Sequence, residues 1–343
     1  MKKLYIKNSL LFLGLLITQL AFSYQSGDAS LYIEKALESE KIGKEKEAIG
    51  YLTTAIKLDP KNVTALQERA SLLTLFGDYQ NALKDYRKAI KLKPSEELYY
   101  KVGVAELNSG DDNKAIEHLT KAIKLNPKKE FYYFFRAEAQ FDLGHYKLAI
   151  KDYNKAIHLS STDYKAIYKR GLCHYNTSDF DKAIVDFDKA LSMYQYDSEM
   201  YYYRAAAYFN QSKFDKAIAD FTTALEKYPD NHDALMNRAK AHEYNENYKA
   251  ADKDYAQYIS QHSVNAQVYY NAANVKYSLE DFKGSENLFT KAIEKQPKHK
   301  MAFFHRGMAR FNQRKMDLAC ADFVKSKDLG YLAGYDQMKG NCK

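Results

Sequence analysis

With 343 residues, 46% of them hydrophobic, the chain is long enough for several domains, yet no shift of composition along it marks a second globular one. Its formal net charge is +8, from 52 Lys and Arg against 44 Asp and Glu. Basic and acidic residues are interleaved, as in KAIEKQPKHK and FDKAIADF, whereas a nucleic-acid binder gathers its cations on one face. This excludes a nucleic-acid partner and assigns the charge to a solvated outer surface.

The chain opens MKKLYIKNSLLFLGLLITQLAFSYQSG, with a basic start at Lys2, Lys3 and Lys7 and an apolar run from Leu10 to Phe22. The run is too short for a comfortable membrane span and reads as a signal peptide over residues 1–23, cleaved after Ser23. A retained anchor is the alternative. No cysteine adjoins the run, so lipid attachment is not expected. Loss of the leader's three lysines would leave a charge of +5. The mature protein is expected to be exported, periplasmic or extracellular, with no stable membrane span. Residues 24–28 are a polar spacer.

From Ala29 to Ala333 a unit of 34 residues recurs nine times, as in SEMYYYRAAAYFNQSKFDKAIADFTTALEKYPDN (Ser198–Asn231). Small residues recur at repeat positions 8, 20 and 27 (Ala205, Ala217 and Ala224 here), with Tyr258 and Ser326 breaking the rule at 27. Position 24 is always large and apolar, and all five prolines (Pro60, Pro94, Pro127, Pro229, Pro297) fall at position 32. The units are 29–62, 63–95, 96–129, 130–163, 164–197, 198–231, 232–265, 266–299 and 300–333, the second being one residue short after Pro94. Each predicts a first helix over positions 1–14 and a second over about 17–30, with Gly77, Gly110 and Gly144 in the turn. One such hairpin cannot bury its apolar face alone, so neighbours stack. Leu329 to Met338 is expected to form a capping helix, and residues 334–343 are a cap and tail.

Position 7 is Arg in six units (Arg69, Arg136, Arg170, Arg204, Arg238, Arg306), and position 23 is Asp in the same six (Asp85, Asp152, Asp186, Asp220, Asp254, Asp322). The other three units lose both members together: Lys35 with Tyr51, Val102 with His118, Ala272 with Leu288. The correlation predicts an Arg–carboxylate fork between the two helices of a unit, made within it and not to the next.

Small residues at 8, 20 and 27, an aromatic at 24 and proline at 32, in nine phased copies, resemble the tetratricopeptide repeat (TPR) family. The resemblance covers everything between the leader and the last ten residues. The family's tryptophan is absent, its place held by Tyr99, Tyr133, Tyr201, Tyr269 and Phe303. The resemblance implies an all-α, right-handed α-solenoid of nine TPR helix-turn-helix units with a short C-terminal capping helix. It also implies that first helices line a concave surface at positions 2, 5, 6, 9, 12 and 13. Position 5 then offers Tyr100, Phe134, Tyr168, Tyr202, Tyr270 and Phe304, and position 12 offers Phe141, Tyr175, Phe209, Tyr277 and Phe311. Phe131, Phe135 and Tyr203 add further rings, and Asn108, Asn176, Asn210 and Asn312 recur at position 13. Such a surface suits a binding groove, although rings at positions 5 and 12 also serve packing in this family.

No unit has Lys at position 5, so the family's carboxylate clamp is not expected. The implied partner is a segment of another protein, with a glycan or peptidoglycan as the alternative. No His-x-x-x-His pair with an acid, Cys-x-x-Cys or Gly-rich phosphate loop is present, so neither catalysis nor a cofactor or metal is expected. Asp111-Asp112 reads as a helix cap, and His305 as a contact residue facing the groove. Cys173, at position 10, reads as a small core residue. Cys320 and Cys342 can pair in an oxidising compartment, contributing about 3 kcal/mol in the chain-entropy model. The ending ACADFVKSKDLGYLAGYDQMKGNC resembles that of exported TPR proteins of the Bacteroidetes type, which supports the pairing.

Overall fold

A computed structural model describes residues 28–338, 340 and 342; the leader, its cleavage site and residues 24–27 lie outside the described residues. Among the described residues there are helices and no strands, arranged as consecutive antiparallel hairpins. They form two compact units, the first ending at Ala166 and the second beginning at Ile167.

The N-terminal unit holds four hairpins: α1 (Ala29–Lys41) with α2 (Glu45–Leu58), α3 (Val63–Leu75) with α4 (Tyr79–Leu92), α5 (Glu96–Asn108) with α6 (Asp112–Leu125), and α7 (Glu130–Asp142) with α8 (Tyr146–Leu159). The boundary between units passes through α9 (Tyr164–Asn176). The C-terminal unit pairs the rest of α9 with α10 (Phe180–Met193), α11 (Ser198–Asn210) with α12 (Phe214–Lys227), and α13 (His232–Tyr244) with α14 (Tyr248–Gln261). It continues with α15 (Ala266–Ser278) beside α16 (Phe282–Lys295), α17 (Lys300–Asn312) beside α18 (Met316–Asp328), and a final α19 (Leu332–Met338). First helices stop at position 13, one residue earlier than expected, and α19 starts three residues later than Leu329. The short second repeat is accommodated in the linker, where only Lys93–Ser95 separates α4 from α5.

Helix starts follow from the residue before each first helix. Asn62, Ser95 and Asn231 accept hydrogen bonds from the backbone N–H of Ala65 (3.0 Å), Leu98 (3.2 Å) and Ala234 (2.9 Å), satisfying donors that the helix cannot. Asp111 departs from this. It stands at the N-cap of α6, but its carboxylate turns to Lys114 and makes no capping bond to the backbone.

The interior repeats with the sequence. Alanines at positions 8, 20 and 27 are fully buried, and the side chain at position 24 fills the space between them. Gly171 and Gly307 replace alanine at position 8, where an added Cβ would lie 2.7 Å from Phe187 and 2.6 Å from Phe323. Ser285 and Ser326 are buried in alanine's place, their hydroxyls donating to the carbonyls of Ala273 and Lys300 at 2.9 Å each. Cys173 is fully buried. Cys320 and Cys342 form a disulfide with Cα atoms 5.6 Å apart, closing the chain end onto α18.

The turn between the two helices of a hairpin puts position 15 in the left-handed region throughout. In the N-terminal unit that residue is glycine: Gly43, Gly77, Gly110 and Gly144. In the C-terminal unit it is Ser178, Ser212, Glu246, Glu280 and Arg314, at φ between 57 and 61°. A Cβ is disfavoured there, an effect that exceeds glycine's own entropic penalty. Glu246→Gly and Glu280→Gly should therefore each stabilise their hairpin, by roughly 0.5–1 kcal/mol, read as a rise in melting temperature.

The Arg–Asp forks are present and reach further than the sequence reading allowed. Arg204 Nε and Nη2 donate to Asp220 at 2.7 and 2.8 Å within the hairpin, while Nη1 donates at 2.6 Å to Asp188 on the second helix of the preceding one. Arg69, Arg136, Arg238 and Arg306 repeat the arrangement, their third bond going to Thr53, Thr120, Thr222 and Thr290. Each of these arginines thus ties three helices together. Arg170 also forks onto Asp186.

Where the pair is missing, other contacts take over. Lys35 lies 6.0 Å from the centre of the Tyr51 ring. His118 Nδ1 meets the fully buried Glu106 carboxylate at 2.7 Å. Leu288 joins the apolar cluster around Ala272.

Candidate functional site

First helices of neighbouring hairpins touch one another within each unit: α3 with α5 and α5 with α7, then α11 with α13 and α15 with α17. The outer residues of these touching first helices therefore adjoin. Among the described residues no helix is long and apolar enough to cross a membrane.

Rings at positions 5 and 12 belong mainly to the hairpins. At position 5, Phe134, Tyr168, Tyr202, Tyr270 and Phe304 each lie 5.6–5.9 Å from the position-24 ring of their own second helix, namely Tyr153, Phe187, Phe221, Phe289 and Phe323. At position 12, Phe141, Tyr175, Phe209 and Tyr277 meet Tyr146, Phe180, Phe214 and Phe282 at 5.3–5.6 Å. Tyr168 and Phe304 are buried, at 6% and 7% exposure, and so offer no ring face to a macromolecule. That corrects their assignment to the groove. The others, with Phe311, are partly buried, one side against the hairpin and one edge outward.

The rings that the repeat does not require behave differently. In the N-terminal unit Phe131 and Phe135 gather on Tyr100, with centroids 4.8 and 5.6 Å away. In the C-terminal unit Tyr203 stands against Tyr202 (5.1 Å), Tyr175 (5.7 Å) and Tyr168 (6.5 Å). Burial raises the pKa of Tyr202 to about 12, helped by the nearby Asp233 carboxylate.

Several expected contacts are rearranged. Asn176 and Asn210 each donate their side-chain amide to a carbonyl one turn back, Leu172 and Ala206, and Asn312 donates to both Met308 and the Tyr277 hydroxyl. Each of these three amides thus spends its donor on its own face. His305 packs among Tyr270, Phe289 and Phe304, and burial lowers its pKa. It is part of the packing and does not face outward as a contact residue.

Sequence reasoning missed Tyr244. It is 64% exposed and stacks on Phe214 at 5.5 Å while meeting Phe209 edge-on at 5.6 Å. Its signal was a ring at position 13, where four other units place Asn. Asn237 was missed as well; it donates to the Tyr202 hydroxyl at 3.1 Å.

Helical hairpins stacked in series, with a ring-bearing face on their first helices, define a repeat scaffold. Three family models, each described as tetratricopeptide repeat, match: one at residues 198–231, one at 96–129, and one at 34–97, 134–198 and 270–326, the last alone covering just over half of the chain. The chain belongs to the tetratricopeptide repeat family.

A DnaJ homolog subfamily C member 3 homolog from Dictyostelium discoideum is 41% identical over 66 residues, 19% of this chain; the chain spans 13% of that relative's length. Among solved structures, the C-terminal part of a TPR repeat-containing protein from Cytophaga hutchinsonii matches with TM-score 0.58 at 20% identity, over 70% of this chain and 98% of that one. A tetratricopeptide repeat protein from Parabacteroides merdae matches with TM-score 0.52 at 19% identity, over 72% and 98%. At these identities the two structures show the fold alone.

Proposed function

We propose that the protein is a non-catalytic scaffold, exported to the cell envelope, that binds a segment of a partner protein along its first-helix faces. The observation that carries this reading is the placement of Phe131, Phe135 and Tyr203. The repeat needs no ring at these positions, yet each is aromatic and remains partly open beside other rings. Aromatic anchors set among polar residues supply most of the binding energy in protein interfaces. The apolar leader supports export, and the Cys320–Cys342 disulfide fits an oxidising compartment.

Photo-cross-linking in the native envelope tests it, with p-benzoylphenylalanine placed at Phe135, at Tyr203 and, as a control, at Val185, which is exposed on the second helix α10. A discrete adduct is expected from the first two sites and none from the third. Phe135→Ala should weaken the isolated complex about tenfold or more. Adducts from Val185 alone, or from no site, would overturn the assignment.

A further inference from the structure

The second hairpin breaks a rule that the other units keep. Position 11, on the first helix, is Leu73 there, whereas Ser39, Glu106, Gln140, His174, Tyr208, His242, Lys276 and Arg310 all bring a polar group to it. In the last two units this residue reaches back to position 21 of the preceding second helix. Lys276 meets Asp252 at 2.9 Å, and Arg310 meets Glu286 at 2.8 Å. At the second hairpin both positions are apolar, Leu73 on α3 and Ile49 on α2, so this pair cannot form the bridge. A cavity of about 210 Å³ lies there instead, between the second helices α2 and α4 with α3 behind it. None of the rings of the first-helix face lines it.

The walls of this slot differ in chemistry. Ile49 and Leu73, both partly buried, supply an apolar one. Arg69, Asp85 and Thr53 are joined in the fork described above, so the charges of the first two offset each other. Lys84 and Asn81 stand at the exposed rim. Lys84 forms no ion pair among the described residues. Asn81 donates one amide N–H to Asp78 and keeps a second. The lining thus carries one uncompensated positive charge beside an apolar recess.

We infer that this slot is a binding site for a small monocarboxylate with a compact apolar body. An apolar cavity of about 150 Å³ is large enough for benzene, so the slot has room for one small ring or short chain with a carboxylate beside it. Drug-sized ligands need pockets of about 300 Å³ or more, which excludes bulkier acids. The apolar body would displace water from Ile49 and Leu73, and the carboxylate would accept from Lys84 and from the second amide N–H of Asn81. A cationic ligand would meet Lys84 and find no free acid, because Asp85 is already held by Arg69. The site is independent of the first-helix face proposed above and stands or falls without it.

Methyl NMR on the full chain, labelled with carbon-13 at the isoleucine δ1 and leucine δ positions, tests this with sodium benzoate as the probe. Benzoate should shift the Ile49 and Leu73 signals saturably, and benzamide, its neutral isostere, should bind about fivefold more weakly. Lys84→Met keeps the slot, removes the charge, and should weaken benzoate by about the same factor. Leu73→Gln should fill the slot and abolish the benzoate shift at Ile49. It copies Gln140, whose neighbours Ile116, Thr120, Arg136 and Asp152 match those of Leu73, so the melting temperature should hold. No saturable shift in the unaltered chain, equal affinity for benzamide, or undiminished benzoate binding by either variant would overturn the inference. Should Leu73→Gln disturb the fold, Lys84→Met, altered at an exposed side chain, decides alone.

Discussion

Asp85→Ala is expected to cost about 3–5 kcal/mol of local stability, and Asp220→Ala somewhat less. Both changes remove the acceptor of an Arg fork and leave a guanidinium enclosed by the hairpin: Arg69 and Arg204 side chains are only 20% and 19% exposed. The residual partners differ. Arg204 keeps a carboxylate, Asp188, whereas Arg69 keeps only the hydroxyl of Thr53. An unpaired, poorly hydrated charge is more damaging than the loss of the pair itself, so the double replacement Arg69→Met/Asp85→Leu should recover most of the loss. Because each hairpin is stabilised by its neighbours, the damage should spread along the stack from α3 and α4. Native-state hydrogen exchange reads this directly. Equal exchange in Asp85→Ala and the double variant would show that the fork matters through shape and not through charge.

The fork also shows how much was legible in the sequence. The pairing of positions 7 and 23 is written in six units, and the structure contains it. Its third bond was legible too. Thr53, Thr120, Asp188, Thr222 and Thr290 stand at repeat position 25, 16 residues before an arginine, whereas position 25 is Arg87 in the short second unit, 15 before Val102, and Ala256, 16 before Ala272. An acceptor precedes each of those five arginines, and none precedes the two units without one. The repeat fixes core positions well because every copy solves the same packing problem. The face was harder to read. A ring at position 12 has the same period whether it meets a partner or its own second helix. The distinction lay five residues on, where Tyr146, Phe180, Phe214 and Phe282 follow Phe141, Tyr175, Phe209 and Tyr277. The tyrosine cluster around Tyr203 depends on two hairpins meeting, so no single repeat displays it.

Acid should selectively loosen the last two hairpins through Glu286. Its side chain is 14% exposed and receives Arg310 Nε at 2.8 Å, Lys315 Nζ at 2.7 Å and Gln313 Nε2 at 3.0 Å. Burial alone would raise its pKa. The hydrogen bonds from Lys315, Arg310 and Gln313, and the charge of Arg310, outweigh that and hold it at about 2, below its ordinary 4.5. A carboxyl with a depressed folded pKa contributes stability that is fully present above the unfolded value and is lost as pH falls through the folded one. The window is therefore from about 4.5 down to about 2. At neutral pH, Glu286→Gln should reduce stability by roughly 2 kcal/mol after allowance for its partial solvent contact. The difference between variant and parent should shrink steadily as pH falls from 5 toward 2, approximate bounds set by that depressed carboxyl. Arg310 also binds Asp322, itself held by Arg306, so the loss should be felt across α16, α17 and α18. Exchange-protected amides in those helices, followed against pH in both proteins, make the check. A stability difference that stays constant over this window would mean that Glu286 acts through its shape and amide-like contacts, and not through its charge.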